Sequence, residues 1–311
     1  MVEKDRGQLL LAGSITIALV FIGLTVLLNS VIYTENVSGG SAVEVTGDIN
    51  EFNKEARRNS RGLTIRINHA TSYSSSSEIG ASLDDNFSVY SDRLSESFAD
   101  TGSVYVNVSF DGIRQTGRRV VQTDDAGFQL DGNPDWEAFD SDMKTGWFVL
   151  NLNASTVSRS TPLILKVDGS SGSTLTIKIK QIAGSKLQVN SSIGGSHTSS
   201  VTCHPSGGRV LLDIIDGTAH TGDCSFNATS FIEPPYQDIR IRNGDAATGK
   251  LSFVVNGSAS DLSSDIESCS SGSPTSPCHM PAAWEIEVTT RYSSTEVAYE
   301  NTQHITVYES A

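Results

Sequence analysis

From Gly7 to Thr34 the chain carries no charged residue, and within that stretch Leu9 to Leu28 reads LLLAGSITIALVFIGLTVLL, apolar on every face. At about 1.5 Å per residue, a helix of this length matches a hydrocarbon core of roughly 30 Å. The segment therefore reads as a membrane-spanning helix with the lipid bilayer as its first partner. Lys4 and Arg6 precede it, and only the acid Glu35 stands close behind it. Basic residues bias the cytoplasmic side while acids count little, so the expected location is the cell membrane, single-pass, with the N-terminus cytoplasmic and the C-terminal domain extracellular. A secretory signal would show a shorter apolar core and then a small-x-small cleavage site, which Asn29-Ser30-Val31-Ile32 matches poorly.

Immediately before the apolar run stand Asp5-Arg6-Gly7-Gln8-Leu9-Leu10. A basic residue, a Gly and a Gln leading into an uninterrupted apolar helix resemble the class III signal peptide of archaeal type IV pilin-like proteins, and the stretch as a whole is similar to haloarchaeal surface proteins of that type. The resemblance implies processing at Arg6, Gly7 and Gln8, with a prepilin peptidase cutting after Gly7 and the helix retained in the mature protein. It also implies packing against other pilin-like subunits through the N-terminal helix, where Gly13, Ser14, Ala18 and Gly23 permit close approach. The family often carries Glu at the fifth mature position; Ala12 stands there, which points to a minor or accessory subunit.

The 311 residues hold 36 acids against 22 bases, a net charge of −14. No surplus of Lys and Arg is available to displace counterions from phosphate, so nucleic acid is excluded as a partner. Lysine is scarce, 8 against 21 Asp, the balance expected of a halophilic protein whose self-repulsion is screened by salt.

The fold class expected is mainly β: an N-terminal transmembrane α-helix followed by an extracellular β-sandwich-like ectodomain with one or two short helices. The layout is a leader at 1–7, the apolar helix at 8–34, a stalk and short helix at 35–62, a first β-rich region at 63–191, and a second at 192–311 that holds all four cysteines. Asp48 and Glu51 form an N-terminal capping pattern for the short helix, with Arg57, Arg58 and Arg61 near its C-terminal end, favourably placed for its dipole. Alternation predicts strands at 63–67, 104–108, 163–167 and 175–179, the last two joined by DGSSGS. Residues 239–242 and 251–255 flank the second Gly-containing loop NGDAATG, and 284–288 pairs with 297–308. Phe87, Tyr90, Leu94 and Phe98 give an amphipathic helix over 84–99. SIGGSHTSSVTC, ending at Cys203, reads as a linker.

Cys203, Cys224, Cys269 and Cys278 are even in number and extracellular, hence disulfide candidates. Nearest-neighbour pairing closes short loops, although four cysteines allow three connectivities. Cys203-His204 and Cys278-His279 suggest zinc, but the paired-knuckle spacing is missing. Asp131, Asn133 and Asp135 occupy the first, third and fifth positions of a calcium loop, with Trp136 where the turn Gly belongs; calcium is the one cofactor suggested, and weakly. Glycosylation sequons occur at Asn36, Asn86, Asn107, Asn153, Asn190, Asn227 and Asn256. No GxSxG, Walker, Rossmann or HExxH pattern is present, and the chain is not expected to be an enzyme.

The function expected from all this is a membrane-anchored, extracellular pilin-like subunit or accessory protein of a type IV pilus-like surface structure, serving assembly or adhesion. The alternative is a permanently anchored cell-surface binding protein or adhesin that never assembles. A third class is an extracellular hydrolase, whose triad would be defined by geometry alone.

Overall fold

A computed structural model describes residues 41–70, 73–101, 104–139, 141–220, 224–226, 234–269 and 275–308. The processing residues Arg6, Gly7 and Gln8, the apolar segment 8–34, and the sequons at Asn36 and Asn227 lie outside them. Among the described residues no helix is long and apolar enough to cross a membrane. The chain divides into residues 1–55 and 56–311; of the first part only helical residues 41–55 are described.

Among the described residues, two α-helices precede thirteen strands. Helix α1 runs Ser41–Ala70 and α2 runs Ser76–Thr101. The long α1 corrects three expectations: the helix is already formed at Ser41, so Asp48 and Glu51 lie within it and do not cap it; it does not stop near residue 62; and 63–67 is not a strand. Leu63, Ile65 and Ile67 alternate, but the buried set over this half of the helix is Ala56, Ser60, Thr64, Ile67 and Asn68. Spacings of three and four put those side chains on one helical face, and the longer pattern overrides a five-residue alternation. Arg57, Arg58 and Arg61 consequently sit mid-helix, well short of the last turn; Arg61 Nε donates to the Val307 carbonyl at 2.7 Å. Helix α2 bears out the predicted amphipathic helix, longer at both ends, with Ile79, Leu83, Phe87 and Ser91 buried at successive i+4 steps. It packs on β1 (Tyr105–Gly127) and β12 (Cys278–Ser293), where the Phe87 and Phe110 rings stand 5.7 Å apart.

The strands form two antiparallel sheets. The first has the order β13-β12-β1-β11-β3-β8-β9 and the second β2-β10-β4-β5-β6-β7. In the first, β3 is Thr145–Asn153, β8 Arg209–Asp213, β9 Thr218–Ala219, β11 Thr248–Val255 and β13 Ala298–Thr306. In the second, β2 is Trp136–Glu137, β4 Leu163–Gly169, β5 Thr174–Gln181, β6 Leu187–Ile193, β7 Ser196–Cys203 and β10 Tyr236–Arg242. Phe148, Leu150, Leu152 and Phe253 from the first sheet meet Leu165, Ile177, Val189 and Ile241 from the second in one core. This is a β-sandwich, with alternate residues buried along β4, β5 and β6.

The strands expected at 104–108, 163–167 and 175–179 are present, as are the DGSSGS hairpin and the final β12–β13 pair. Two connections differ from expectation. Residues 192–203 are not a linker: Gly194 and Gly195 both have positive φ, 59° and 83°, which is the geometry of a tight two-residue hairpin turn, and the flanking β6 and β7 pair antiparallel with one register shift between Ser191 and Ser192. The core therefore draws on both sides of residue 192. NGDAATG joins β10 of the second sheet to β11 of the first, so it turns the sandwich corner and makes no hairpin. Gly244 permits that corner, because a Cβ there would fall 1.8 Å from the Phe128 carbonyl oxygen.

Helix α1 is fastened to the first sheet by Asn68. Its Nδ2 donates to the Ala283 carbonyl and its Oδ1 accepts from the Ala283 N–H, both at 2.9 Å, and Nδ2 also reaches Tyr308 Oη at 2.9 Å. A single carboxamide thus takes the place of a neighbouring strand at Ala283, just beyond the end of the β12–β13 register at Glu285↔Thr306. Ser91 of α2 serves β1 similarly, accepting from the Val108 N–H at 3.0 Å. Replacing Asn68 by Ala leaves both Ala283 groups buried and unpaired, and is expected to cost about 2–5 kcal/mol in urea unfolding. Replacing the exposed Asn59 by Ala should cost less than about 0.5 kcal/mol in the same assay.

Candidate functional site

A concavity of about 660 Å³ opens at one end of the second sheet and is lined in part by Glu137, Asp142, Asp168, Thr174, Asp238 and Arg240. Local strand geometry assembles it. A register shift between Tyr236 and Asp238 on β10 sets Asp238 directly across from Asp168 on β4, while Arg240 stands opposite both Lys166 and Glu137. Like charges directly opposed on neighbouring strands repel. Here the guanidinium of Arg240 holds them together, lying 3.6 Å from carboxylate oxygens of both Glu137 and Asp168 and paired through Nε with Asp238.

Asp238 is only 3 % exposed, and its Oδ1 has no hydrogen-bond partner among the described residues. Burial pushes its carboxyl up to about 7; Arg240 opposes that rise and the Glu137 carboxylate adds to it. The cluster can therefore hold one proton near neutrality. At its rim the Thr174 hydroxyl donates to Asp168 Oδ1, so the cluster combines a bridged set of carboxylates with one hydroxyl. Sequence reading passed over these residues. The signal available was the DIRIR run at 238–242, where alternation on a buried strand forces Asp and Arg onto one face.

A second concavity, about 320 Å³, lies where α1 meets the first sheet and is lined by residues including His69, Arg119, Trp147, Asn151 and Lys250. The His69 and Trp147 rings stand 5.0 Å apart. Burial, followed by the nearby Arg119, lowers the His69 imidazole to about 4, so it is neutral at physiological pH. Arg119 donates to the Asn68 carbonyl and to Ser252 Oγ. These contacts make the groove part of the helix-to-sheet joint.

The candidates from sequence are dispersed. The cysteines form Cys203–Cys224 and Cys269–Cys278, the nearest-neighbour pairing; the thiols are consumed, and the zinc reading falls. At the calcium-like loop, Asn133 Oδ1 accepts the Asp135 N–H and Asp135 Oδ1 accepts the Asn243 N–H. The Asp131 N–H goes to Ser276 Oγ. Trp136, standing at the turn position, is buried and donates Nε1 to the Phe128 carbonyl. These bonds tie the loop to the sandwich corner, and among the described residues no group of three His, Cys, Asp or Glu is placed to hold a metal ion.

Of the sequons, Asn86 is exposed on α2. Asn107 is half-buried and donates to Ser91 Oγ, Asn153 accepts from Ser155 in a turn, Asn190 accepts from Ser200 Oγ, and Asn256 accepts from Gln115. Two histidines meet carboxylates: His220 with Asp213, and His304 with Glu285 and Glu287. Both ring nitrogens of His304 face acids, which leaves that ring no serine to activate. Comparison with protein-family models, curated proteins and solved structures returned no match.

This geometry sets two expected outcomes. Non-reducing peptide mapping should yield the Cys203–Cys224 and Cys269–Cys278 peptides and neither crossed pairing. Because the folded-state pKa of Asp238 lies above its ordinary 3.8, its contribution to stability is complete below about 4 and is lost as pH rises to about 7, at no more than about 1.4 kcal/mol per pH unit. Asp238→Asn, which stays neutral, should therefore gain stability relative to wild type across that interval in urea unfolding at stepped pH. Parallel curves for the two proteins would show that Asp238 ionises normally.

Proposed function

We propose that this protein is an extracellular subunit or accessory component of a type IV pilus-like surface filament, cut after Gly7 and held by its N-terminal apolar helix. The observation that carries the reading is the order of parts. An apolar run at Leu9–Leu28 is followed in the chain by α1, 30 residues long, whose last turns dock through Asn68 into a disulfide-bearing β-sandwich. A helix that joins a folded ectodomain suits a subunit that displays that domain while its N-terminal segment packs elsewhere. The acidic composition and exported disulfides agree with a cell-surface setting.

The test is N-terminal mass spectrometry of the protein from its native membrane, comparing wild type with Gly7→Val. Wild type is expected to begin at Gln8, with the variant retaining the leader. If both begin at Met1 or Val2, the filament reading fails and a permanently anchored binding protein takes its place. A start beyond residue 35 would mark the apolar segment as a removed secretory signal.

A further inference from the structure

Charge is distributed very unevenly over this acidic chain. Residues 143–212 carry seven Lys and Arg against the single acid Asp168, a net +6, which leaves −20 for the remainder. Much of that positive charge emerges on one surface. On the second sheet the core-facing residues are Leu163, Leu165, Val167, Leu175, Ile177 and Ile179, so strand alternation turns Lys166, Lys178 and Lys180 outward on the opposite face. The register sets Lys166 beside Arg240 and Thr176, and Lys178 between Ile164 and Asn190. Arg240 is engaged by Glu137, Asp168 and Asp238, whereas the three lysines have no ion-pair partner among the described residues. Lys178 is exposed, and Lys166 and Lys180 are partly exposed.

The complementary surface is on α2. This helix holds six acids and one base, Arg93. Its buried side is Ile79, Leu83, Phe87 and Ser91. At about 100° per residue, Asp85, Asp92 and Glu96 fall on the opposite side, together with Val89, a large apolar side chain that is 54 % exposed. Asp85 and Asp92 are about 10 Å apart along the axis and Asp92 and Glu96 about 6 Å. Lys178 and Lys180 are about 7 Å apart along β5, with Lys166 one strand over. Flexible lysine stems span the difference. Each patch also holds an aliphatic residue among its charges, Val89 on the helix and Ile164 on the sheet.

We propose that these two surfaces meet between copies of this chain: the Asp85–Asp92–Glu96 stripe of one copy seats on the Lys166–Lys178–Lys180 face of the next. The packing of α2 against β1 and β12 places its acidic stripe on a different sheet from the lysines, so the contact joins unlike patches on identical chains, the kind of interface that propagates when its rotation does not close. The proposal deepens the filament reading and rests on it for the availability of neighbouring copies. Opposite fields of this kind also steer encounter and fix register.

The test uses the full chain in detergent, with sedimentation velocity at NaCl concentrations from roughly 0.1 to 1 M, over which the Debye length falls from about 10 to about 3 Å. Wild type should self-associate, less so as salt rises. Lys166→Glu/Lys178→Glu/Lys180→Glu and Asp85→Lys/Asp92→Lys/Glu96→Lys should each weaken association at least about tenfold, and the chain carrying all six changes should recover it, because the charges are then exchanged. The Lys→Gln triple, which removes charge without reversing it, should weaken association less and guards against misfolding of the reversed form, with far-UV circular dichroism as the check on every variant. Association indifferent to both triples overturns the contact. So does a monomeric wild type that binds polygalacturonate through the three lysines, which would assign the face to an anionic glycan. A chain cut after Gly7 whose association ignores the charges sinks the contact alone; a chain starting at Met1 whose association tracks them sinks the filament reading alone.

Discussion

The joint between helix and sandwich depends on one side chain satisfying a sheet edge. Where β13 ends, Ala283 would present an unpaired N–H and C=O inside the protein, each costing on the order of 1–3 kcal/mol. Asn68 supplies a donor and an acceptor in the spacing of a peptide group and closes that gap. Tyr308, His69, Arg119 and Trp147 gather around the same point. The last turns of α1 are held on the first sheet by this polar contact and the aromatic packing about it, since Ala56, Ser60 and Thr64 are small and offer little side chain to grip.

The sandwich itself rests on more ordinary physics. Two sheets bury aliphatic and aromatic residues in a shared core, and the disulfides tie the end of β7 to Cys224 and the start of β12 to Cys269. Its surfaces differ because the strands are half-buried: the residues facing away from the core are free to carry charge. On the second sheet this produces lysines along its middle strands and a knot of carboxylates around Arg240 at one end. The knot survives because the guanidinium bridges three acids and because Asp238, taken from water, holds its proton more tightly.

Much of the fold was legible in the residues. The alternating runs on β4, β5 and the final hairpin, and the amphipathic run of α2, each carry their period over enough residues to decide the element. The region 63–67 misled because five alternating residues also fit the end of a longer helix, and only the buried spacing of Ala56, Ser60, Thr64 and Asn68 separates the two. Residues 192–203 misled because Gly-Gly and Ser-rich composition suits a linker and a tight hairpin turn equally, and the choice depends on the neighbouring strands. The calcium-like spacing at Asp131, Asn133 and Asp135 is explained by hydrogen bonds that fix a corner. The Arg240 cluster went unread because its members come from three strands far apart in sequence.

The sequence by itself determined the apolar N-terminal segment, the mainly β character of the longer remainder, the acidic charge and the presence of cysteines able to pair, since each depends on local composition or period. Tertiary structure decided which cysteines meet, where α1 ends, which sheet each strand joins, and the gathering of Glu137, Asp168 and Asp238 about one arginine. Those outcomes depend on contacts between residues distant in the chain, where register and burial, which no local pattern encodes, select one arrangement among several.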